Sequence, residues 1–486
     1  MINKFLLTIS SIAFSVLSFS AIAKQPNILM VVVDDLNTDL ASYDHPTILT
    51  PNIDKLAKEG LQFNKAYVQA TACAPSRTSF LTGLYPQQTG ITDNASNFRD
   101  FIPNVVTLPE HFRNNGYWST RVGKVFHYKV PTDIGTNGHD DLQSWDKVVN
   151  PIGIDKEVES KLNIISDNKI GATLSWLAVD SEDIDHTDGK ITQAALNLLK
   201  AQQQNENDKP FFLSVGYFRP HTPYVAPKKY FDLYPIDTIE PYVMPEDDRV
   251  DIPLAALADR KNQLTLTMAQ RKEIIQAYYA SISFIDAQVG ELLAGVKKLG
   301  LDDNTVVVFM SDHGYLLGQH GLWQKGDLFD GSAHAPLIIS MPNQATKGKR
   351  TNAIVEVLDL YPTLVELAGL PSPSYLQGKS LVPILKSADA SVRNSAYSTM
   401  PTRAFQYYDE LKYRDVTGHS VRTSRFRYTE WGDGLFGVEL YDLDKDPEEL
   451  TNLYHNAKYK TQVVKLARLL AKRKTQAEVE VLKWSE

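Results

Sequence analysis

One cysteine, Cys73, stands in the run Thr71-Ala72-Cys73-Ala74-Pro75-Ser76-Arg77, which continues to Leu81-Thr82-Gly83. A lone cysteine forms no internal disulfide, so it is either a buried small hydrophobe or a chemical group. Pro75 suits the first turn of a helix and Arg77 follows Cys73 by about one turn. That spacing sets the sulfur at a positive helix end beside a guanidinium, where negative charge is stabilised. Carboxylates cluster elsewhere: Asp34-Asp35 and Ser311-Asp312-His313-Gly314 follow the apolar runs 28–33 and 306–310. Such runs read as buried parallel strands, whose carboxyl ends share one rim of a sheet. Three carboxylates on one rim need a counter-charge, which a divalent cation held by Asp34, Asp35, Asp312 and His313 would supply. Calcium tolerates this oxygen-rich, irregular set better than magnesium, while the imidazole leaves a softer metal open. Lys124 and His127 follow a strand-like run and, taken singly, are ordinary surface residues or cleft residues; His221 lies on a loop stiffened by Pro220 and Pro223.

Cys73-Ala74-Pro75-Ser76-Arg77 followed by Leu81-Thr82-Gly83 resembles the signature of type I sulfatases, in which a maturation enzyme oxidises the cysteine to formylglycine. A cysteine-phosphatase loop would place its arginine further from the thiol. The likeness is to the iduronate-2-sulfatase-like branch, which shares His313 where many members have asparagine. It extends to 122–127, Arg219-Pro220-His221, 359–363, 421–423 and 440–442. It implies one calcium ion held by Asp34, Asp35, Cys73, Asp312 and His313. It implies further that formylglycine at Cys73, as its hydrate, attacks the sulfur of a sulfate ester, with Asp312 accepting the proton. Lys124 and Lys325 would bind the nonbridging oxygens and His221 would protonate the leaving alkoxide. His127 would then deprotonate the second hydroxyl and expel sulfate, with Arg77 holding the cluster in register. The implied substrate is a sulfated sugar of a polysaccharide or oligosaccharide. Arg99 is a candidate grip for a substrate carboxylate, or else a surface arginine. Two alternatives stand beside this reading: a phosphodiesterase or phosphonate monoester hydrolase of the same superfamily, and a noncatalytic sulfated-glycan binding protein if Cys73 stays a thiol.

Positioning these residues takes a large core, and 486 residues with an apolar share of 43% supply one. The expected class is α/β: an alkaline-phosphatase-like large mixed, mainly parallel sheet flanked by helices, with a smaller C-terminal antiparallel sheet plus helix. Helices are expected at 51–59, 107–115, 267–299 and 359–369, and strands at 117–121, 211–215 and 335–340. Residues 131–190 read as a polar, irregular insertion. Beyond 398 short strands at 420–423, 426–431 and 438–442 precede a basic helix from about residue 458. Residues 1–23, a lysine followed by an apolar run ending Ala21-Ile22-Ala23, read as a signal peptide. This divides the chain into signal peptide 1–23, catalytic domain 24–398 and C-terminal subdomain 399–486. A periplasmic or secreted protein is expected, free of the membrane after cleavage. The net charge of -8 disfavours nucleic acid as a partner.

Overall fold

The computed structural model describes residues 25–479 except 167–169, 172 and 205–208. The expected signal peptide lies outside the described residues. Strands β1 (Asn27–Val33), β2 (Leu61–Phe63), β3 (Trp118–Gly123), β4 (Lys147–Val149), β5 (Phe211–Tyr217), β6 (Thr305–Ser311), β7 (Leu337–Ser340) and β8 (Lys349–Thr351) build the main sheet. Its order is β8-β2-β7-β6-β1-β5-β3-β4. In the centre, β6, β1, β5 and β3 are parallel neighbours. Strand β7 runs antiparallel to both β6 and β2 and makes the sheet mixed. The chain from β6 to β7 carries only a short helix, Asp330–Ala333, in place of a long crossover helix, and so returns in the opposite direction.

Strand β1 shows why the sheet is central. Its residues alternate sides: Leu29, Val31 and Val33 enter one core, Ile28, Met30 and Val32 the other. The first core is closed by α4 (Thr187–Gln204) and α5 (Met268–Lys298), through Ile191, Ala195, Ile274, Ile282 and Val289. The second is closed by α2 (Cys73–Thr82), α3 (Leu108–Asn114) and α6 (Leu360–Leu367), through Phe80, Phe112 and Leu364. Helix α1 (Pro51–Glu59) buries Ile53 and Leu56 beside α5. Helices α3 and α5 each begin with a capping box, Thr107 with Glu110 and Thr267 with Gln270.

Two expectations need correction. Residues 131–190 contribute β4 to the edge of the main sheet, so this stretch is more than an insertion. The C-terminal sheet of β9 (Ala396–Pro401), β10 (Thr417–Arg422), β11 (Phe426–Trp431) and β12 (Val438–Asp442) is an antiparallel meander, and the division expected after 398 falls inside β9. Helix α7 (Lys460–Glu478) packs on this sheet through Leu466 and Leu470. Buried Glu356 ties the parts together. Its carboxylate accepts from Tyr85 Oη at 2.6 Å, the Tyr397 N–H at 2.7 Å and Arg473 of α7 at 2.6 Å, and pairs with Arg393.

Candidate active site

The carboxyl ends of the four central strands deliver most of the chemistry. Strand β6 ends at Asp312 and His313, β1 at Asp34 and Asp35, and β3 at Lys124, while β5 leads into the loop of His221. Adjacent strand residues point to opposite faces, so Asp34 and Asp35 reach one site only because the chain turns there. Asp35 has φ 63°, in the left-handed region that Asp enters more readily than most residues. The turn is held by the Asp35 N–H donating to Asp312 Oδ1 at 3.1 Å and by Tyr278 Oη donating to the Asp35 carbonyl at 2.8 Å. Gly123 and Gly216 let β3 and β5 meet closely behind Lys124. A Cβ on Gly123 would stand 2.1 Å from the Gly216 carbonyl oxygen.

Cys73 is the first residue of α2 and is fully buried. Ala72 has no side-chain oxygen to cap the helix, and Asn94 Oδ1 instead accepts the Ala74 N–H at 2.9 Å. One turn along, Arg77 donates to Asp34 and to Asp312, both at 2.9 Å, and to the carbonyls of Lys124 and Val125 at 2.9 and 2.8 Å. Lys124 Nζ lies 2.5 Å from Asp34 Oδ2 and Lys325 Nζ 2.5 Å from Asp35 Oδ1. The Cys73 sulfur is 3.4 Å from His313 Nε2 and 3.9 Å from Asp35 Oδ1. Donor atoms of Asp35, Cys73 and His313, of Asp34, Cys73 and Asp312, and of Asp34, Asp35 and His221 form three overlapping groups, each within 4.8 Å. The five expected metal ligands therefore converge, and His221 joins them.

Backbone carbonyls set the histidine tautomers. His313 Nδ1 faces the Gly314 carbonyl at 2.8 Å and His221 Nδ1 the Thr222 carbonyl at 2.5 Å. Each Nδ1 must carry the hydrogen, so each Nε2 is turned to the site as a lone pair or a proton carrier. His127 Nδ1 is buried without a hydrogen-bond partner. Burial and then Lys124 push the His127 imidazole well down, and burial and then Lys325 do the same to His221. Burial would raise Asp34, but Lys124, His221 and Arg77 together hold it well below the usual range. Asp35 is pushed up by burial, against Lys325 and with the help of Asp34 and Asp312. Burial also pushes the Cys73 thiol up, over the pull of Lys325 and Lys124. The expected stabilisation of negative sulfur at the helix end is outweighed, and the side chain as cysteine is a neutral thiol and a poor nucleophile.

Arg99 corrects another expectation. Its five N–H groups go to Asp141, Glu110 and the carbonyls of Pro103 and Val105, which leaves none for a substrate carboxylate. It is a clamp between α3 and the loop of Asp141. Asn94, Tyr278 and the loop arginines Arg260 and Arg403 were not anticipated. Only Asn94 had a signal in the sequence, since a helix starting after Ala72 must find its cap elsewhere.

The pattern of the sulfatase family matches residues 26–370, and a pattern described as N-sulphoglucosamine sulphohydrolase, C-terminal, matches residues 318–476. The chain is 33% identical to a sulfatase of Formosa agariphila, over 92% of this chain and 87% of that one. It is 32% identical to iduronate 2-sulfatase of Mus musculus, over 89% of this chain and 91% of that one. Among solved structures, phosphonate monoester hydrolase of Agrobacterium radiobacter shares the fold with TM-score 0.76 at 23% identity, covering 93% of this chain and 96% of that one. Sequence and site together place the chain in the sulfatase family, and it is a sulfuric ester hydrolase.

Proposed function

We propose that this enzyme removes sulfate from a sugar of a sulfated polysaccharide or oligosaccharide, that Cys73 works as formylglycine, and that residues 1–23 direct its export to the periplasm or medium. The observation that carries the reading is Cys73 itself, a fully buried side chain at the head of α2, 3.4 Å from His313 and beside Asp35. A thiol makes weak use of such neighbours, whereas an aldehyde hydrate would sit among hydrogen-bond partners. The donor set fits a hard divalent cation. Asp34, Asp35 and Asp312 bring three carboxylates against Arg77, Lys124 and Lys325, and Asp35 is still pushed up. Asp34, Asp35, Asp312, His313 and residue 73 would hold a calcium ion. Formylglycine supplies an oxygen nucleophile with a second hydroxyl for release, and calcium supplies the positive charge that acidifies it.

The chain's own residues do the rest. With the cation bound the cluster is net positive, which complements an anionic ester. Lys124 and Lys325, held by Asp34 and Asp35, stabilise the charge that grows on the nonbridging oxygens. His221 Nε2 faces the site and carries the proton for the leaving oxygen once the anionic ester offsets the burial and the Lys325 charge that depress it. His127, kept neutral, accepts the proton that frees the product sulfate. Arg77 keeps Asp34 and Asp312 in place. The likeness to iduronate 2-sulfatase supports a sugar substrate.

A screen of sulfate release across defined sulfated oligosaccharides, with Cys73→Ala as control, tests this reading. The expected outcome is release by the wild type, none by the variant, and an aldehyde at position 73 in the peptide mass map. A higher kcat/KM on an aryl phosphonate than on every sulfate ester, or an intact thiol throughout an active preparation, overturns it.

A further inference from the structure

Most buried arginines of this protein hold a carboxylate: Arg77 holds Asp34 and Asp312, Arg121 Asp140, Arg219 Asp155, Arg393 Glu356 and Asp359, and Arg427 Glu449. Arg403 differs. Its Nε is buried without a hydrogen-bond partner, and among the described residues no carboxylate lies within ion-pair distance of it. The residue as a whole is only half-buried, so an Nε sealed from solvent with no acceptor calls for an explanation. The neighbouring charge of Arg260 repels it. Burial, and then Arg260, push the Arg403 guanidinium down to about 10.

Its place in the fold supplies the explanation. A Cβ on Gly326 would stand 3.2 Å from Arg403 Nε, and Gly326 follows Lys325, whose ammonium meets Asp35. On the other side of Lys325, Gln324 Oε1 accepts from Arg260 Nη1. The loop that presents Lys325 thus has a guanidinium on each flank. Two backbone positions there are left-handed, Gln324 at φ 73° and Gly326 at φ 109°. Arg403 also lies within electrostatic reach of Cys73 and of Asp93. Asp93 is engaged by the N–H groups of Ala95 and Ser96.

We infer that Arg403 is a specificity-determining residue which, with Arg260 beside it, takes a second oxyanion, a carboxylate or a further sulfate, on the sugar whose sulfate ester lies at Cys73. The inference rests on the sulfated-sugar reading above. A planar guanidinium fork suits either group, and the low-dielectric surroundings strengthen the pair. The role that Arg99 cannot fill thus falls to Arg403, which packs beside the loop of Lys325.

The test compares wild type, Arg403→Gln and Arg403→Lys on three sugars: a sulfated uronic acid, a disulfated hexosamine and a neutral monosulfated sugar. Melting curves confirm that each variant is folded. The wild type is expected to prefer one or both anionic sugars. Arg403→Gln is expected to cut that preference, as a ratio of kcat/KM values, on the order of tenfold to hundredfold, mainly through KM, with Arg403→Lys in between. The anionic sugar whose preference collapses identifies the oxyanion. Calorimetric binding of the same sugars in a Cys73→Ala background reads Arg403 without turnover. A preference that is absent in the wild type, or unchanged in Arg403→Gln by both readouts, overturns the inference while sulfate release upholds the function. No release from any sulfated sugar overturns the function, and the binding arm still decides Arg403.

Discussion

Arg77 serves as a buried brace, with four of its N–H groups holding two strand-end carboxylates and the carbonyls that lead out of β3. Lysine keeps the charge and loses the fork. Arg77→Lys is expected to lower kcat/KM by about 10²–10³-fold, as measured by sulfate release, because Asp34 and Asp312 lose their common partner. Arg99→Ala is expected to leave KM for small sulfate esters as it is while lowering stability by about 2 kcal/mol in urea denaturation, since Asp141 and Glu110 lose a charged donor. At this scale the sequence was readable wherever a group stands at the end of an apolar strand or inside a long signature. Asp34, Asp35, Asp312, His313, Lys124 and Cys73 are of that kind. The role of Arg99 is not legible locally, because the acceptors that saturate it, Glu110 and Asp141, come from separate elements. Arg403 was missed because a lone arginine in a loop near 403 has no local pattern, and its meaning comes from Lys325 and Arg260.

Elements in this protein borrow their ends from one another. Helix α2 takes its cap from Asn94, and α1 takes Asp286 of α5, whose carboxylate accepts the Ile53 N–H at 2.7 Å and the Asn52 N–H at 3.0 Å. Apolar periodicity marks α5, and a cap residue, a first-turn proline and a terminal glycine mark α1. It did not expose α4, whose buried Ile191, Ala195, Leu198 and Leu199 follow directly on a polar stretch. Nor did it reveal the direction of β7, which depends on pairing rather than composition. In β10, His419 Nδ1 meets Tyr397 Oη at 2.7 Å. Burial, and then Lys474, push its imidazole from 6.5 down to about 4. Below pH 6.5 the unfolded chain therefore takes up a proton that the native protein refuses, and stability falls as pH drops toward 4. Denaturation midpoints are expected to fall more steeply across that window for the wild type than for His419→Gln.

For the whole molecule, Glu356 is where the main sheet, the C-terminal sheet and α7 are fastened. Glu356→Gln removes the charge between Arg393 and Arg473, and a loss of about 3–5 kcal/mol is expected from breaking so buried an arrangement. The measurement is the urea midpoint, with one transition expected for sheet and helix together. The central pairing of β1 with β6 sets Val33 beside Ser311, so the two carboxylate-bearing strand ends are joined across most of the chain. Folding at this point must wait for distant sequence to arrive, whereas the segment of Cys73 belongs to the early part of the chain. Once the sheet closes, residue 73 is sealed from solvent. If Cys73 is converted as proposed, the modifying enzyme has to reach the thiol before β6 docks, and a chain that folds first would stay cysteine. Unmodified Cys73 in folded protein is accordingly expected to react slowly with a thiol reagent and rapidly in denaturant, and on the proposed mechanism the order of events during biosynthesis would set how much enzyme is active.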